Sequence, residues 1–377
     1  MTTSRLLLSF LFVLSLLGRL PEAVGAEKKL LKDAGLHHPP AEHRDLEDLR
    51  DVMIMKDGTR VTTPAGWKQR REEILAEWHG LMGAWPEMVK DHGLEILETR
   101  RHDNLTRHKI RFRWTPNALT EGYLLVPDGE GPRPAVITVF YEPETAIGEG
   151  KELRDFAIQL ARRGFVALSL GTTETTANRT YAVYWPDREH AKVQPLSMLA
   201  CAASNAREML ARRPEVDPER IGIVGHSYGG KWAMFASCLD DQFACAVWSD
   251  PGIAFGEDRP SVNYWEPWYL GYEPPPWRKR GLITETNPAT GLYPKLREEG
   301  HDLHELHALM APRPFLVSGG SEDPPSRWRV LNHTVAVNRL LGHENRVAMH
   351  NRKEHSPNPE SNEVIYRFFE HWLMGKE

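Results

Sequence analysis

The chain has 377 residues and a formal net charge of −5, from 47 basic and 52 acidic residues. Hydrophobic residues make up 41% and charged residues 26%, ordinary values for a globular protein that exclude disorder as the dominant state. The near balance of charge excludes nucleic acid as the main partner, and three cysteines are too few for a disulfide scaffold.

The first 26 residues have the order of a secretory signal peptide. Arg5 is followed by the apolar run 6–17, and the segment ends in the small residues Val24-Gly25-Ala26. The run is shorter than the roughly 18–20 residues that span a bilayer, although an uncleaved membrane anchor remains the alternative. We therefore predict that residues 1–26 are removed and that the protein is secreted or periplasmic, with no membrane association after cleavage.

The next segment, residues 27–104, is predicted to be an N-terminal arm with a helix that packs on the main domain. Pro64 opens this helix, because proline is favoured in the first helical turn. The main domain is predicted to cover residues 105–377.

Strands and helices alternate through this main domain. Short apolar runs such as 135–140 are typical of strands that are covered on both faces. The alternation predicts an α/β fold with a mostly parallel, eight-stranded sheet and helices on both faces. The predicted strands are 109–114, 122–127, 135–140, 165–170, 221–225, 243–248, 314–318 and 346–349, and the main helices are 151–163, 195–213, 228–239, 303–310, 328–341 and 363–373.

One segment, about 252–300, interrupts the alternation and is rich in tryptophan, tyrosine and proline. It is too short to bury a core of its own, so we predict an insertion over the sheet edge rather than a separate domain. Its aromatic rings, Trp265 among them, suit the apolar face of a sugar ring. The alternative is that these rings simply pack the insertion onto the sheet.

A nucleophile motif lies between a predicted strand and a predicted helix. Gly225-His226-Ser227-Tyr228-Gly229 has the Gly-x-Ser-x-Gly pattern of a strained turn that exposes a serine hydroxyl above the sheet. Serine needs a base to act as a nucleophile. His355 lies just after the last predicted strand and is the candidate, with His350 as a rival inside that strand.

The histidine in turn needs an acid that fixes its tautomer. Asp323 follows the strand 314–318 and gives the chain order Ser, Asp, His that is common in this arrangement. Asp250 follows the strand 243–248 and is the alternative acid, with Glu322 as a third possibility. We predict Asp323.

The developing oxyanion needs hydrogen-bond donors. The backbone N–H of Tyr228, the residue after the nucleophile, is one candidate. The second is predicted in the loop after strand 135–140, at Tyr141 or Glu142, although the Tyr141 side chain is an alternative substrate contact or simply packs.

No cofactor and no metal site are predicted. His301, His304 and His307 recur at a spacing of three, which drifts off one helix face, and the chain has no His-Glu-x-x-His string.

At these motifs the chain resembles the α/β-hydrolases, and more narrowly the secreted carbohydrate esterases: the glucuronoyl esterases and the acetyl xylan esterase and dienelactone hydrolase relatives. The resemblance covers about residues 105–373 and rests on 225–231 and 302–314. It implies that Lys231 contacts sugar hydroxyls and adds weight to Asp250 as the acid. Tyr228 and His226 stand where glucuronoyl esterases have arginine and cysteine.

The predicted function is hydrolysis of a carboxylic ester, on a small molecule or polysaccharide, through an acyl-enzyme on Ser227. A serine peptidase of the prolyl oligopeptidase type uses the same triad, but no propeller domain is predicted before residue 105. The third hypothesis is a non-catalytic carbohydrate-binding homologue, against which all three triad members are present in the sequence. The oligomeric state does not follow from the sequence.

Overall fold

The computed structural model describes residues 45–172 and 182–375, so the predicted signal peptide lies outside the described residues. The first helix, α1, spans Pro64–Met82, and the Thr63 side chain caps it by accepting the Gly66 N–H. Among the described residues, no helix is both long and apolar enough to cross a membrane.

In the described part of the chain, nine strands form one sheet in the order β1-β2-β3-β5-β4-β6-β7-β8-β9. The first three strands and β5 pair antiparallel, and β5, β4, β6, β7, β8 and β9 pair parallel in that spatial order. The strands are β1 Glu95–His102, β2 Leu105–Thr115, β3 Ala118–Pro127, β4 Arg133–Phe140, β5 Val166–Gly171, β6 Val216–His226, β7 Cys245–Ser249, β8 Phe315–Gly319 and β9 Val347–Asn351.

Seven further helices follow α1 in the described part of the chain: α2 Phe156–Arg162, α3 Pro195–Ala211, α4 Tyr228–Leu239, α5 Leu292–Glu298, α6 His304–Ala308, α7 Asn332–Leu340 and α8 Pro359–Met374. The helix predicted at 151–163 begins only at Phe156, and the 3₁₀ turn Thr145–Ile147 lies before it. The 3₁₀ turn Pro325–Leu331 takes the place of the first residues of the helix predicted at 328–341. The mostly parallel sheet of the prediction is confirmed.

The central strands are covered on both faces. Along β4, Val136 and Phe140 belong to one hydrophobic cluster with α2 and α8, whereas Ile137 and Val139 belong to the other with α3 and α4. Burying each such side chain contributes about 1.5–3 kcal/mol. The carboxyl ends of the parallel strands are thereby held in a rigid row.

Within residues 45–172 and 182–375 the sheet has nine strands rather than the predicted eight, because the sequence pattern does not indicate β1. Every residue of β1 is exposed, so this edge strand carries no alternation of apolar and polar residues. It pairs with β2 from Glu95 to His102, so residues before position 105 contribute to the same sheet.

The insertion 252–300 contributes α5 but none of the nine strands. Its aromatic rings face inward: Tyr264 and Trp265 are fully buried. The Trp265 indole N–H donates to the Gly281 carbonyl oxygen at 2.9 Å. The prediction that Trp265 stacks on substrate is therefore wrong in this structure, and the packing alternative describes the ring.

Candidate active site

Ser227 occupies a sharp turn between β6 and α4. Its φ of 57° lies in the left-handed region, which is strained for a residue with a side chain. The turn closes only because its neighbours are glycines: a Cβ on Gly229 would lie 1.9 Å from the Val139 carbonyl oxygen, and one on Gly225 would lie 2.2 Å from Gly229. The Gly-x-Ser-x-Gly motif thus forms a strained turn between a strand and a helix, and the role of Ser227 as a nucleophile stays a prediction.

His355 lies in the loop between β9 and α8, where its ring joins two other side chains. Nε2 lies 2.8 Å from the Ser227 Oγ, and Nδ1 lies 2.6 Å from the Asp250 Oδ2. The Asp250 side chain is fully buried, whereas 30% of the His355 side chain is exposed. The three side chains thus form a serine–histidine–aspartate chain that opens to solvent at the histidine.

The aspartate bonded to His355 is Asp250, so the preference for Asp323 is not what the geometry shows. Asp250 follows β7 directly, and a φ of 51° at this residue accompanies a turn of the chain as it leaves the strand. Asp323 comes four residues after β8 ends, and its carboxylate accepts the N–H groups of Gly252 and Ile253 at 2.8 and 2.7 Å. Its hydrogen bonds run to the neighbouring loop and not to the histidine.

The two aspartates hold each other's loops. The Asp250 carboxylate accepts the N–H groups of Gly320 and Asp323 at 2.6 and 2.8 Å, while Asp323 binds the loop that follows Asp250. Burial, together with the negative charge of Asp250, raises the pKa of Asp323. Gly320 is required at this contact, because a Cβ there would lie 2.6 Å from an Asp250 oxygen.

The rings of Tyr141 and Tyr228 stack beside the elbow, 4.4 Å apart and nearly parallel. The Tyr228 hydroxyl lies 3.0 Å from the Thr172 Oγ1, and the Thr172 N–H donates to the Tyr141 carbonyl oxygen at 2.7 Å. Tyr141 directly follows β4, and Tyr228 is the first residue of α4. Both predicted oxyanion residues therefore flank the serine.

Lys231 is 2% exposed. Its Nζ donates to the carbonyl oxygens of Pro251 and Ser261, at 2.6 and 2.8 Å, and lies 5.0 Å from the centre of the Tyr264 ring. Burial lowers the pKa of this ammonium to about 8. The sugar contact implied by the resemblance is not supported, because the side chain binds the start of the insertion instead.

Sequence reasoning missed Arg352, which supports the histidine loop. The guanidinium is buried, and its nitrogens donate to the carbonyl oxygens of His355 and Ser356 at 2.6 and 2.8 Å and to that of Ser318 at 2.8 Å. These bonds tie the loop to the end of β8. The only signal in the sequence is an arginine three positions before the histidine, which has no specific pattern.

His226 also lies against His355. Its ring centre is 4.7 Å from that of His355, and its Nδ1 lies 3.1 Å from the Ser249 Oγ. Complete burial lowers the pKa of His226 well below the ordinary value, so the ring is neutral.

The three spaced histidines are buried rather than solvated. His301 pairs with Glu305 at 2.6 Å, and His304 lies 2.8 Å from the Arg50 carbonyl oxygen. Within residues 45–172 and 182–375, no group of three or more His, Cys, Asp or Glu side chains is placed to hold a metal ion.

The curated proteins that this chain is similar to include two with alignments of 156 residues. The chain is 26% identical over 156 residues to a protein of Synechocystis sp. provisionally named carboxymethylenebutenolidase, and 26% identical over 156 residues to carbohydrate esterase MZ0003 of an unknown prokaryotic organism. The alignments cover 39% and 38% of this chain, and 62% and 32% of the respective relatives. The chain therefore spans less than two thirds of the length of each curated relative.

Among solved structures, the glucuronoyl esterase of Solibacter usitatus has a TM-score of 0.66 at 19% identity, covering 86% of this chain and 97% of that one. This similarity confirms the fold. The sequence model of the alpha/beta hydrolase family matches residues 132–374, which is more than half of the chain and includes the elbow and the histidine. The chain belongs to the alpha/beta hydrolase family.

Proposed function

We propose that this protein is a serine hydrolase that cleaves a carboxylic ester on a carbohydrate. The observation that carries the proposal is the chain of two short contacts, 2.8 Å from the Ser227 Oγ to His355 and 2.6 Å from His355 to Asp250. A serine that only packs or caps a helix has no use for a strained backbone. It also has no use for a histidine that is bonded in turn to a buried carboxylate, and both features suit an activated nucleophile.

The reaction follows from these positions. His355 accepts the Ser227 proton as Oγ attacks the ester carbonyl, and Asp250 stabilises the imidazolium that forms. The backbone N–H groups of Tyr228 and Tyr141 are the donors for the oxyanion. The imidazolium then protonates the leaving alcohol, and the same histidine activates the water that hydrolyses the acyl-enzyme. No step needs a cofactor.

The carbohydrate ester is proposed from the names of the similar proteins, a carbohydrate esterase and a glucuronoyl esterase. We further propose that the protein acts outside the cytoplasm, since residues 1–26 have the order of a signal peptide. The mature N-terminus of the exported protein, read by mass spectrometry, tests that part.

The test of function is hydrolysis of two esters by the wild type and by Ser227→Ala. The first ester is an aryl acetate, and the second is the benzyl ester of glucuronic acid. We expect Ser227→Ala to lower kcat by several orders of magnitude with unchanged thermal unfolding, because the triad acts as a unit. Equal hydrolysis by the wild type and the variant would contradict the mechanism, and turnover of the acetate alone would favour a deacetylase.

A further inference from the structure

Arg154 lies beside the loop of His355 and has no carboxylate partner among the described residues. It belongs to the loop between β4 and α2, the same connection that begins with Tyr141. Its Nη2 donates to the Ser356 hydroxyl at 3.5 Å, and Ser356 follows the triad histidine directly in the chain. The side chain is half-buried. It thus spans from the connection that holds Tyr141 to the histidine loop.

The charge of Arg154 is not neutralised by the described part of the chain. Within residues 45–172 and 182–375 its one hydrogen bond goes to the neutral Ser356 hydroxyl, and no Asp or Glu lies within ion-pair distance. Arg163, at the end of α2, is by contrast paired with Glu363 and Glu370. A partly desolvated guanidinium with unused donors favours an anionic ligand.

Arg154 lies in a region with a second cation, Arg352, and the neutral ring of His226. Desolvation lowers the pKa of Arg154, and the Tyr141 phenol is the group that offsets this effect. The charge of Arg154 in turn contributes to lowering the pKa values of His226 and Arg352, so all three groups lie in one region. Arg352 already donates to backbone carbonyl oxygens, whereas Arg154 makes one hydrogen bond within the described residues and keeps other donors for a ligand.

The proposed function, on which this inference rests, decides whether the acyl part or the alcohol part of the ester faces Arg154. His355 must pass its proton to the leaving alcohol, so the alcohol part of the ester lies beside the histidine loop. Ser356 is the next residue, and Arg154 is bonded to it. A group attached to the alcohol is therefore the group within reach of the guanidinium.

We propose that Arg154 binds a free carboxylate on the alcohol part of the substrate, so that the enzyme prefers acetyl or other acyl esters of acidic alcohols, such as an acylated sugar next to an unesterified uronate. The guanidinium offers two parallel N–H donors to a carboxylate, which is a strong and directional contact. The Ser356 hydroxyl accepts from Arg154 and is placed to donate its own proton to the same carboxylate.

The test compares 4-acetoxybenzoate, which has a carboxylate on its leaving group, with its neutral methyl ester. The variants are Arg154→Gln and Arg154→Lys. Arg162→Gln is the matched control, because Arg162 is an exposed arginine in α2 and the change in charge is the same. We expect Arg154→Gln to raise KM for the anionic ester about 10- to 100-fold, with kcat and the neutral ester changed less than about twofold. Lysine should restore part of the loss.

Three outcomes would overturn the proposal. An equal loss on both esters in Arg154→Gln would mean that Arg154 only supports the histidine loop. No loss on the anionic ester would mean that its charge does not reach the substrate. A larger rise in KM in Arg154→Gln for an aryl hemisuccinate, which carries its carboxylate on the acyl part, would mean that Arg154 binds the acyl part and not the alcohol part.

Binding of the product 4-hydroxybenzoate, measured by calorimetry, tests Arg154 separately from hydrolysis. We expect weaker binding in Arg154→Gln than in Arg162→Gln and in Ser227→Ala. If the wild type hydrolyses neither ester but binds 4-hydroxybenzoate through Arg154, the proposed function fails and the anion site stands. If it hydrolyses the neutral ester but Arg154→Gln binds the product as tightly as the wild type, the function stands and the anion site fails.

Discussion

Replacing Asp250 by asparagine removes the buried negative charge that faces His355 and keeps the size of the side chain. The Oδ1 atom can still accept the N–H groups of Gly320 and Asp323, which it binds at 2.6 and 2.8 Å, so the loops should stay in place. The other atom, 2.6 Å from the histidine Nδ1, becomes an amide that no longer stabilises an imidazolium.

The expected loss follows from this geometry. At an effective dielectric constant of about 20 and about 4 Å between the charge centres, the carboxylate and the imidazolium attract each other by about 4 kcal/mol. Since about 1.36 kcal/mol corresponds to a factor of ten in rate, Asp250→Asn should lower kcat about 1,000-fold. The measurement is steady-state hydrolysis of an aryl acetate, with Ser227→Ala as the baseline.

Asp323→Asn is the matched control, because it changes the other buried carboxylate of the same pair. It weakens the bonds to Gly252 and Ile253, which should cost about 1–3 kcal/mol of folding free energy. We expect kcat to fall by less than about tenfold in the folded protein. A larger loss of kcat in Asp323→Asn than in Asp250→Asn, with both variants folded, would refute the assignment of the acid.

Two further predictions concern stability. Gly229→Ala should destabilise the fold by at least about 1–3 kcal/mol and abolish activity, because the new Cβ would lie 1.9 Å from a carbonyl oxygen. The control is Gly80→Ala in α1, where the new Cβ meets open space. Equal denaturation curves for the two variants would contradict this prediction. Burial lowers the pKa of His304 from 6.5 to about 4, so the unfolded chain binds a proton at a higher pH than the folded protein does. The free energy of unfolding should therefore fall as the pH drops from 6.5 towards 4, by about 2 kcal/mol at pH 5. Burial raises the pKa of Asp302 to about 6, which changes stability with pH in the opposite direction, so the wild type alone does not isolate the effect of His304. The measurement is therefore the free energy of unfolding in urea of the wild type and of His304→Gln, at pH 7.5 and at pH 5. An equal pH dependence in both proteins would be evidence against the prediction.

The serine and the histidine of the candidate site could be predicted from the sequence because each is marked by its position in the chain. Gly-x-Ser-x-Gly between an apolar run and a helix leaves little choice for Ser227, and His355 follows the last strand. The acid could not be decided in this way. Asp250 and Asp323 both follow strands that end at the same edge of the sheet, β7 and β8. Which carboxylate meets the histidine depends on the path of two loops, and a strand pattern does not encode that path.

Burial explains the other differences between sequence and structure. An exposed, charged edge strand such as β1 carries no periodic signal, so it was missed. Lys231 and Trp265 have the chemistry of sugar-binding residues, yet the side chains are 2% and 0% exposed. Residue type and spacing indicate which contacts a side chain is able to make, while its depth in the fold decides which contacts it does make.

The position of Lys231 changes the interpretation of the insertion. This lysine lies one helical turn after Ser227 in α4, and its ammonium holds the carbonyl oxygens of Pro251, next to the triad aspartate, and of Ser261 in the insertion. The Tyr264 hydroxyl donates to the carbonyl oxygen of Gly252 in the same turn. The nucleophile helix, the acid loop and the insertion are therefore joined by buried polar contacts, and such contacts are expensive to break. The insertion supports Ser227, His355 and Asp250 from one side, as part of their framework, and in our proposal the loop that carries Arg154 selects the substrate on the histidine side.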